Sequence, residues 1–280
     1  MLEKSLGLDA DSLVLDLEDA VTPEDKDSAR ECVARWLAEA DFAARERVVR
    51  INPLESPWGR ADLERTMQAG VDAYLVPKLR SRADVEAIDQ IVSELETRFD
   101  RPRGQVKLLL LGTETPQGAL NVDSLATVDR VDALSWGAED LSAELGATRN
   151  RDEQGEYLEV FRYCRVRTLL AAAACGVQAI DTVYVDIADL EGLRRECVEG
   201  AWMGFTGKMT IHPSQIEVVN EVFTPSAAEI EESRELIAAF EENRAQGRMA
   251  FRFRGQMVDV PHLVRAQKVL ERARAAGVID

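Results

Sequence analysis

Acidic side chains stand where apolar runs end. In Ser12-Leu13-Val14-Leu15-Asp16-Leu17-Glu18-Asp19-Ala20-Val21 a short run with little amphipathic alternation turns acidic at its C-terminal end. The same layout recurs in Leu108-Leu109-Leu110-Leu111-Gly112-Thr113-Glu114 and in Leu134-Ser135-Trp136-Gly137-Ala138-Glu139-Asp140. Such runs suit strands covered on both faces, as in a parallel sheet wrapped by helices. In parallel α/β proteins ligands bind at the carboxyl ends of the strands, so Asp16, Glu18 and Asp19 are poised there. With parallel, adjacent strands, Glu114 and Asp140 emerge at one rim, close enough to share a cation. Two carboxylates completed by waters and a substrate oxygen is the usual way to hold magnesium. Gly137 leaves the neighbouring backbone N–H groups approachable. The plain alternative for each acid is a cap on the helix that follows. Thr22-Pro23-Glu24-Asp25 reads as such a helix start, and acids near a helix start are ordinary.

Basic residues fall at comparable places. Arg50 sits inside the apolar strand Val48-Val49-Arg50-Ile51-Asn52, and a buried unpaired guanidinium is very costly, so it needs an anionic partner. That partner is internal, such as Glu18 or Asp19, or a substrate carboxylate gripped in bidentate fashion; the two are compatible. Lys78 and Lys208 also follow strands, where ion pairing or phosphate binding is favoured over a Schiff base. His212 and His262 lack a serine or cysteine partner arrangement, which leaves triad hydrolysis without support. Asp259 precedes a proline-started helix and, on spacing alone, reads as an acid of the N-cap region.

Strands are expected near 12–18, 47–52, 72–77, 106–113, 131–136, 179–185 and 204–211, and helices near 23–38, 61–69, 82–98, 154–175 and 187–200. This βαβα alternation predicts parallel strands joined by right-handed crossovers. Residues before 12 read as the tail of a helix. After residue 213 the rhythm changes to helices over 213–223 and 226–244, a hairpin around Arg254-Gly255, and a last helix over 261–275. The 280 residues suit one large barrel domain, and 34 basic against 51 acidic side chains give −17, which argues against nucleic acid or an anionic membrane as the main partner. Cys32, Cys164, Cys175 and Cys197 are too dispersed for a zinc site and read as reduced, buried residues. No stretch is apolar and long enough to span a bilayer and no signal peptide is evident, so the expected location is cytoplasmic.

Taken together, Leu15-Asp16-Leu17-Glu18-Asp19-Ala20-Val21, Arg50-Ile51-Asn52, Val76-Pro77-Lys78, Glu114-Thr115, Gly137-Ala138-Glu139-Asp140-Leu141, Ile211-His212-Pro213-Ser214-Gln215 and Met257-Val258-Asp259-Val260-Pro261-His262 resemble the aldolase/citrate lyase superfamily. Its members include citrate lyase beta subunits, malyl-CoA and citramalyl-CoA lyases, and malyl-CoA thioesterases. The resemblance implies a TIM (β/α)8-type barrel over residues 1–213 and a helical and hairpin lid over 214–280 that contacts a neighbouring subunit. It implies Mg2+ on Glu114 and Asp140, a 2-keto acid carboxylate on Arg50, and Glu18 and Asp19 near the metal's waters. Gly137, Ala138, Glu139 and Lys78 would contact substrate, with Ile211, His212 and Pro213 beside the CoA arm. Asp259 would be delivered into a neighbour's site, which makes the protein a homotrimer or homohexamer. Family members open on a strand like Leu-Phe-Val-Pro-Gly that has no counterpart here. Either the start is assigned downstream of the true one, or the barrel is open on one side, in which case ladder hydrogen bonds stay unpaired and a penalty in stability or aggregation is expected. The expected activity is Mg-dependent cleavage or condensation of a 3-hydroxy-dicarboxylyl-CoA thioester. The alternatives are malyl-CoA thioesterase, a citrate lyase beta subunit acting on a carrier-protein thioester, and a non-catalytic scaffold or regulatory protein.

Overall fold

The computed structural model describes residues 2–280. It divides into a first unit ending at Glu217 and a second spanning Val218–Asp280. The first unit begins with a short helix, α1 (Leu2–Ser5), then alternates strand and helix: β1 (Ser12–Asp16), α2 (Lys26–Glu39), β2 (Glu46–Arg50), α3 (Gly59–Gln68), β3 (Ala73–Val76), α4 (Arg82–Arg98), β4 (Lys107–Leu111), α5 (Pro116–Leu125), β5 (Val131–Ser135), α6 (Ala138–Leu145), α7 (Glu159–Cys175), β6 (Gln178–Asp181), α8 (Leu190–Met203) and β7 (Gly207–Lys208). The seven strands pair in sequence order, every one parallel to its neighbours. The sheet curls as an open half-barrel, with β1 and β7 as its edges among the described residues.

Register decides which side chains share a face. Asp16 is paired with Arg50, Arg50 with Leu75 and Leu75 with Leu109, so these form one row across the sheet near the strands' carboxyl ends. On the same face, Val48, Ala73, Leu75 and Leu111 pack with Leu109 and Met209. The opposite face, with Leu13, Leu15, Val49, Tyr74, Leu108, Leu110 and Leu134, is buried. Burying such branched side chains is worth about 1.5–3 kcal/mol each, and this is what holds helices and sheet together.

Several expectations are corrected. β1 is not covered on both faces: Val14 is 44% exposed, because an edge strand on a curled sheet has no neighbour on its free side. Two helices absent from the expected set, α5 and α6, follow β4 and β5 directly; they are short and open at Pro116 and Ala138, just after the acidic strand ends. The helix expected from 154 begins at Glu159, since residues 151–157 close a small loop bridged Arg151 to Tyr157. β6 stops at Asp181 rather than running to 185: Asp186 accepts the Ala188 N–H at 3.0 Å and Asp189 caps α8 through the Gly192 N–H at 2.8 Å, which bends the chain out of the sheet.

After α9 (Ile216–Phe223), the second unit consists of α10 (Ala227–Ala245), the hairpin β8 (Phe251–Phe253) and β9 (Gln256–Val258), and α11 (Val260–Ala275). Ile230, Leu270 and Ala273 join α10 to α11, and Leu236, Val258 and Ala266 pin the hairpin on them. Among the described residues no helix is long and apolar enough to cross a membrane.

Candidate functional site

Three strand ends converge on Lys78. This residue leaves β3 with φ of 53°, a conformation that costs a non-glycine residue roughly 1–2 kcal/mol. The turn directs its ammonium to Glu18 Oε1 at 2.6 Å, Asp19 Oδ2 at 2.9 Å and Asp140 Oδ1 at 3.4 Å. The same residue's backbone N–H donates to Glu114 Oε2 at 2.8 Å. Glu18, Asp19, Glu114 and Asp140, picked out in the sequence from three places along the chain, are therefore neighbours in space. A cleft of about 400 Å3 opens there, lined by Lys78, Arg80, Glu114, Thr115 and Asp140 among others.

Burial sets the electrostatics. Glu114 is only 3% exposed; burial, reinforced by the adjacent Asp140 charge, pushes its carboxyl up to about 8. Burial likewise raises Glu18, against the pull of Lys78 and Arg50. Lys78, surrounded by acids, is raised above the ordinary lysine value despite its own desolvation. Glu114 owes its path to Gly137, where a Cβ would stand 2.5 Å from Glu114 Cγ. Capping does not account for the two acids: Thr115, not Glu114, caps α5 through the Gly118 N–H at 2.9 Å, and Gly137 stands at the α6 N-cap without a side-chain bond. The first N–H groups of α6, from Ala138 and Glu139 onward, thus lack intrahelical partners at the positive end of the helix. The Glu139 side chain turns outward to Asn150 at 2.7 Å, so its contribution to the cleft is its backbone.

Arg50 has an internal partner, but chiefly one that sequence reasoning did not name. Asp16 takes Nε at 2.8 Å and Nη2 at 2.6 Å, and Glu18 lies 3.2 Å from Nη1. Asp19 pairs with Lys78 instead. One N–H on each of Nη1 and Nη2 remains beyond those contacts. The i, i+2 spacing of Asp16 at the end of β1 and Glu18 just beyond it, both reaching Arg50, was the available signal. Behind them lies buried Lys26, whose ammonium donates to Leu17 O at 2.8 Å, Glu18 O at 2.7 Å and Asn52 Oδ1 at 2.7 Å, so the backbone that carries Glu18 is held from below.

Lys208 does not join this cluster. Its buried ammonium pairs with Glu196 at 2.7 Å and Asp181 at 3.5 Å, none of the acids around Lys78. Both candidate Schiff-base lysines are thus engaged in ion pairs. His212 does meet a serine, Ser214 Oγ at 2.8 Å, contrary to expectation. The contact is local and exposed, however, and caps the turn at Pro213–Gln215. Ile211 is exposed, and its N–H donates to Gln215 Oε1 at 2.9 Å, which with Tyr184 O shapes the segment after β7. In the second unit, Asp259 stands at the N-cap of α11 and pairs with His262 Nδ1 at 2.7 Å, both exposed; its capping geometry is as the spacing suggested.

A hard cation fits the donor set. Glu114 and Asp140 offer only oxygen, and a carboxyl raised to about 8 by burial and a like charge is relieved by a bound divalent ion. Among the described residues no three acid, histidine or cysteine side chains are grouped so as to hold a metal ion.

Comparisons with known proteins bear on the family and the fold. The HpcH/HpaI aldolase/citrate lyase family profile matches residues 1–213. The chain is 41% identical to the (3S)-malyl-CoA thioesterase of Cereibacter sphaeroides over 98% of its length and 90% of that protein's. It is 38% identical to the mitochondrial citramalyl-CoA lyase of Mus musculus, covering 96% of this chain and 81% of that one. Its fold superposes with a TM-score of 0.77 and 36% identity, over 95% of this chain and 90% of the other, on protein CitE from Mycobacterium tuberculosis in complex with magnesium, acetoacetate and coenzyme A.

Proposed function

Because the chain belongs to the HpcH/HpaI aldolase/citrate lyase family, we propose that it is a magnesium-dependent carbon–carbon lyase acting on a 3-hydroxy-dicarboxylyl-CoA thioester such as malyl-CoA or citramalyl-CoA. The observation that carries this reading is the pair Glu114 and Asp140 in one cleft at the ends of β4 and β5, with Glu114 raised to about 8. Those two residues would hold the ion. When bound, magnesium supplies Lewis-acid polarisation of the substrate oxygens. Arg50, braced by Asp16, offers its remaining N–H donors to the keto-acid carboxylate, and the open N–H groups at the start of α6 orient the same group. Glu18 and Asp19, tied to Lys78, keep a fixed acidic surround for waters near the ion. Asp259, supplied by the second unit of a neighbouring copy in a homotrimer or homohexamer, acts as the acid toward the carbon of the departing thioester fragment, or as base in condensation. Ile211, His212 and Pro213 flank the CoA arm.

A second reading, hydrolysis of malyl-CoA on the same scaffold, is favoured by the 41% identity to a malyl-CoA thioesterase. One experiment separates them: purified protein is incubated with malyl-CoA, with magnesium or with EDTA, while keto acid, free CoA and acetyl-CoA are followed together. The lyase yields glyoxylate and acetyl-CoA only with magnesium. Free CoA and malate without keto acid replace the lyase reading by the thioesterase one.

A further inference from the structure

The residue just before Gly137 is a fully buried tryptophan whose surroundings have no part in the chemistry above. Trp136 Nε1 donates to Asp181 Oδ1 at 2.7 Å, a bond that links the end of β5 to the end of β6. Asp181 is completely buried and is itself immobilised. Arg165 reaches it at 2.8 Å and 3.2 Å, the Thr182 N–H at 3.1 Å and Lys208 at 3.5 Å. The indole's other side is closed by Tyr157, edge-on with ring centroids 5.0 Å apart, and the Arg151 guanidinium lies 3.5 Å over the Tyr157 ring. Arg151 returns to the same ion cluster through Glu196 at 2.7 Å, which also holds Lys208. Trp136 is thereby clamped between a fixed carboxylate and a fixed ring.

The backbone that this indole anchors is the one the cleft depends on. Gly137 touches the Glu114 side chain so closely that a methyl group would not fit, and Asp140 lies in the first turn of the helix that Gly137 opens. A shift of the 136–140 backbone changes the separation of the two carboxylates directly. Magnesium demands near-ideal octahedral geometry at short distances, whereas calcium accepts longer and more variable ones.

We infer that the Trp136–Asp181 hydrogen bond is a positioning device that sets the Glu114 to Asp140 spacing and so confers preference for magnesium over calcium. The inference rests on the metal reading given above. Its test is calorimetric titration of the full chain with Mg2+ and separately with Ca2+, in wild type and Trp136→Phe, alongside thermal unfolding without metal. Trp136→Phe keeps an aromatic ring in place and removes only the donor, and Asp181 retains Arg165, Lys208 and Thr182. Magnesium affinity is expected to fall about tenfold, the usual effect of losing a group that orients metal ligands, while calcium affinity changes by less than about threefold, since its coordination tolerates the shift. Where Trp136→Phe fails to fold, Tyr157→Leu, which frees the indole's other side but also removes the ring beneath Arg151, carries the same expectation. Unchanged magnesium affinity, or parallel loss of both ions, overturns the positioning role while leaving the metal reading intact. Wild type that binds neither ion overturns the metal reading and this inference with it.

Discussion

Glu114 concentrates the residue-scale consequences. Its folded-state value of about 8 lies above the ordinary 4.5. An acid raised in this way contributes stability that is fully present below the unfolded value and is lost as pH rises through the folded one. Metal-free protein is therefore expected to lose stability between about pH 5 and pH 8, read as a falling unfolding midpoint, and Glu114→Gln should flatten that slope while abolishing magnesium binding. In wild type, metal binding must expel the carboxyl proton, so titrations near neutral pH in buffers of different ionisation enthalpy should show release of about one proton per ion. A pH-independent midpoint and no proton release would remove the account of Glu114. Sequence reading found Glu114, Asp140, Glu18 and Asp19 because each ends a short apolar strand. It named Glu18, which does lie 3.2 Å from Arg50 Nη1, but missed Asp16, which takes Nε and Nη2, since spacing alone cannot choose among neighbouring acids at one strand end.

Among the elements, α6 and the glycine before it carry most of the site. The helix is short and follows β5 without a loop of its own, so the apolar run and the helical turn merge in the sequence and the helix went unrecognised. Gly137→Ala would place a methyl 2.5 Å from Glu114 Cγ. Displacing that buried side chain is expected to cost about 1–3 kcal/mol, as overpacking does, and to weaken magnesium binding more than tenfold, about the loss seen when ligand orientation is disturbed. Thermal unfolding and metal titration of this single variant check both. An alanine at 137 that leaves magnesium affinity intact would mean that Glu114 reaches its position without the open backbone. The outer edges of the elements were legible to within a few residues where an N-capping acid or a C-terminal glycine marks them, as at Asp189 and Gly176. They were misread at residues 154–158 and 182–185, where loop closure depends on Tyr157 meeting Arg151 and on Asp186 folding back on Ala188.

For the whole molecule, the proposed sharing of Asp259 between copies has a direct test. Glu114→Gln and Asp259→Ala are each expected to be inactive. Co-refolded in equal amounts, they should regain activity, because an assembly in which one copy supplies Glu114 and its neighbour Asp259 has intact sites in about a quarter of its positions. Mixtures that stay inactive although the copies assemble would confine Asp259 to capping α11. The sequence by itself determined the alternation of strand and helix, the parallel sheet, the change of rhythm after residue 213 and the acids and bases at strand ends. These follow from local periodicity and from where apolar runs stop, which need no knowledge of distant neighbours. Only the tertiary structure decided which of those groups meet: Asp16 on Arg50 across 34 residues, Lys78 among the acids of other strands, and Trp136 on Asp181 across 45. Such pairings depend on strand register and on the curl of the sheet, and those are set by how all the buried side chains pack at once.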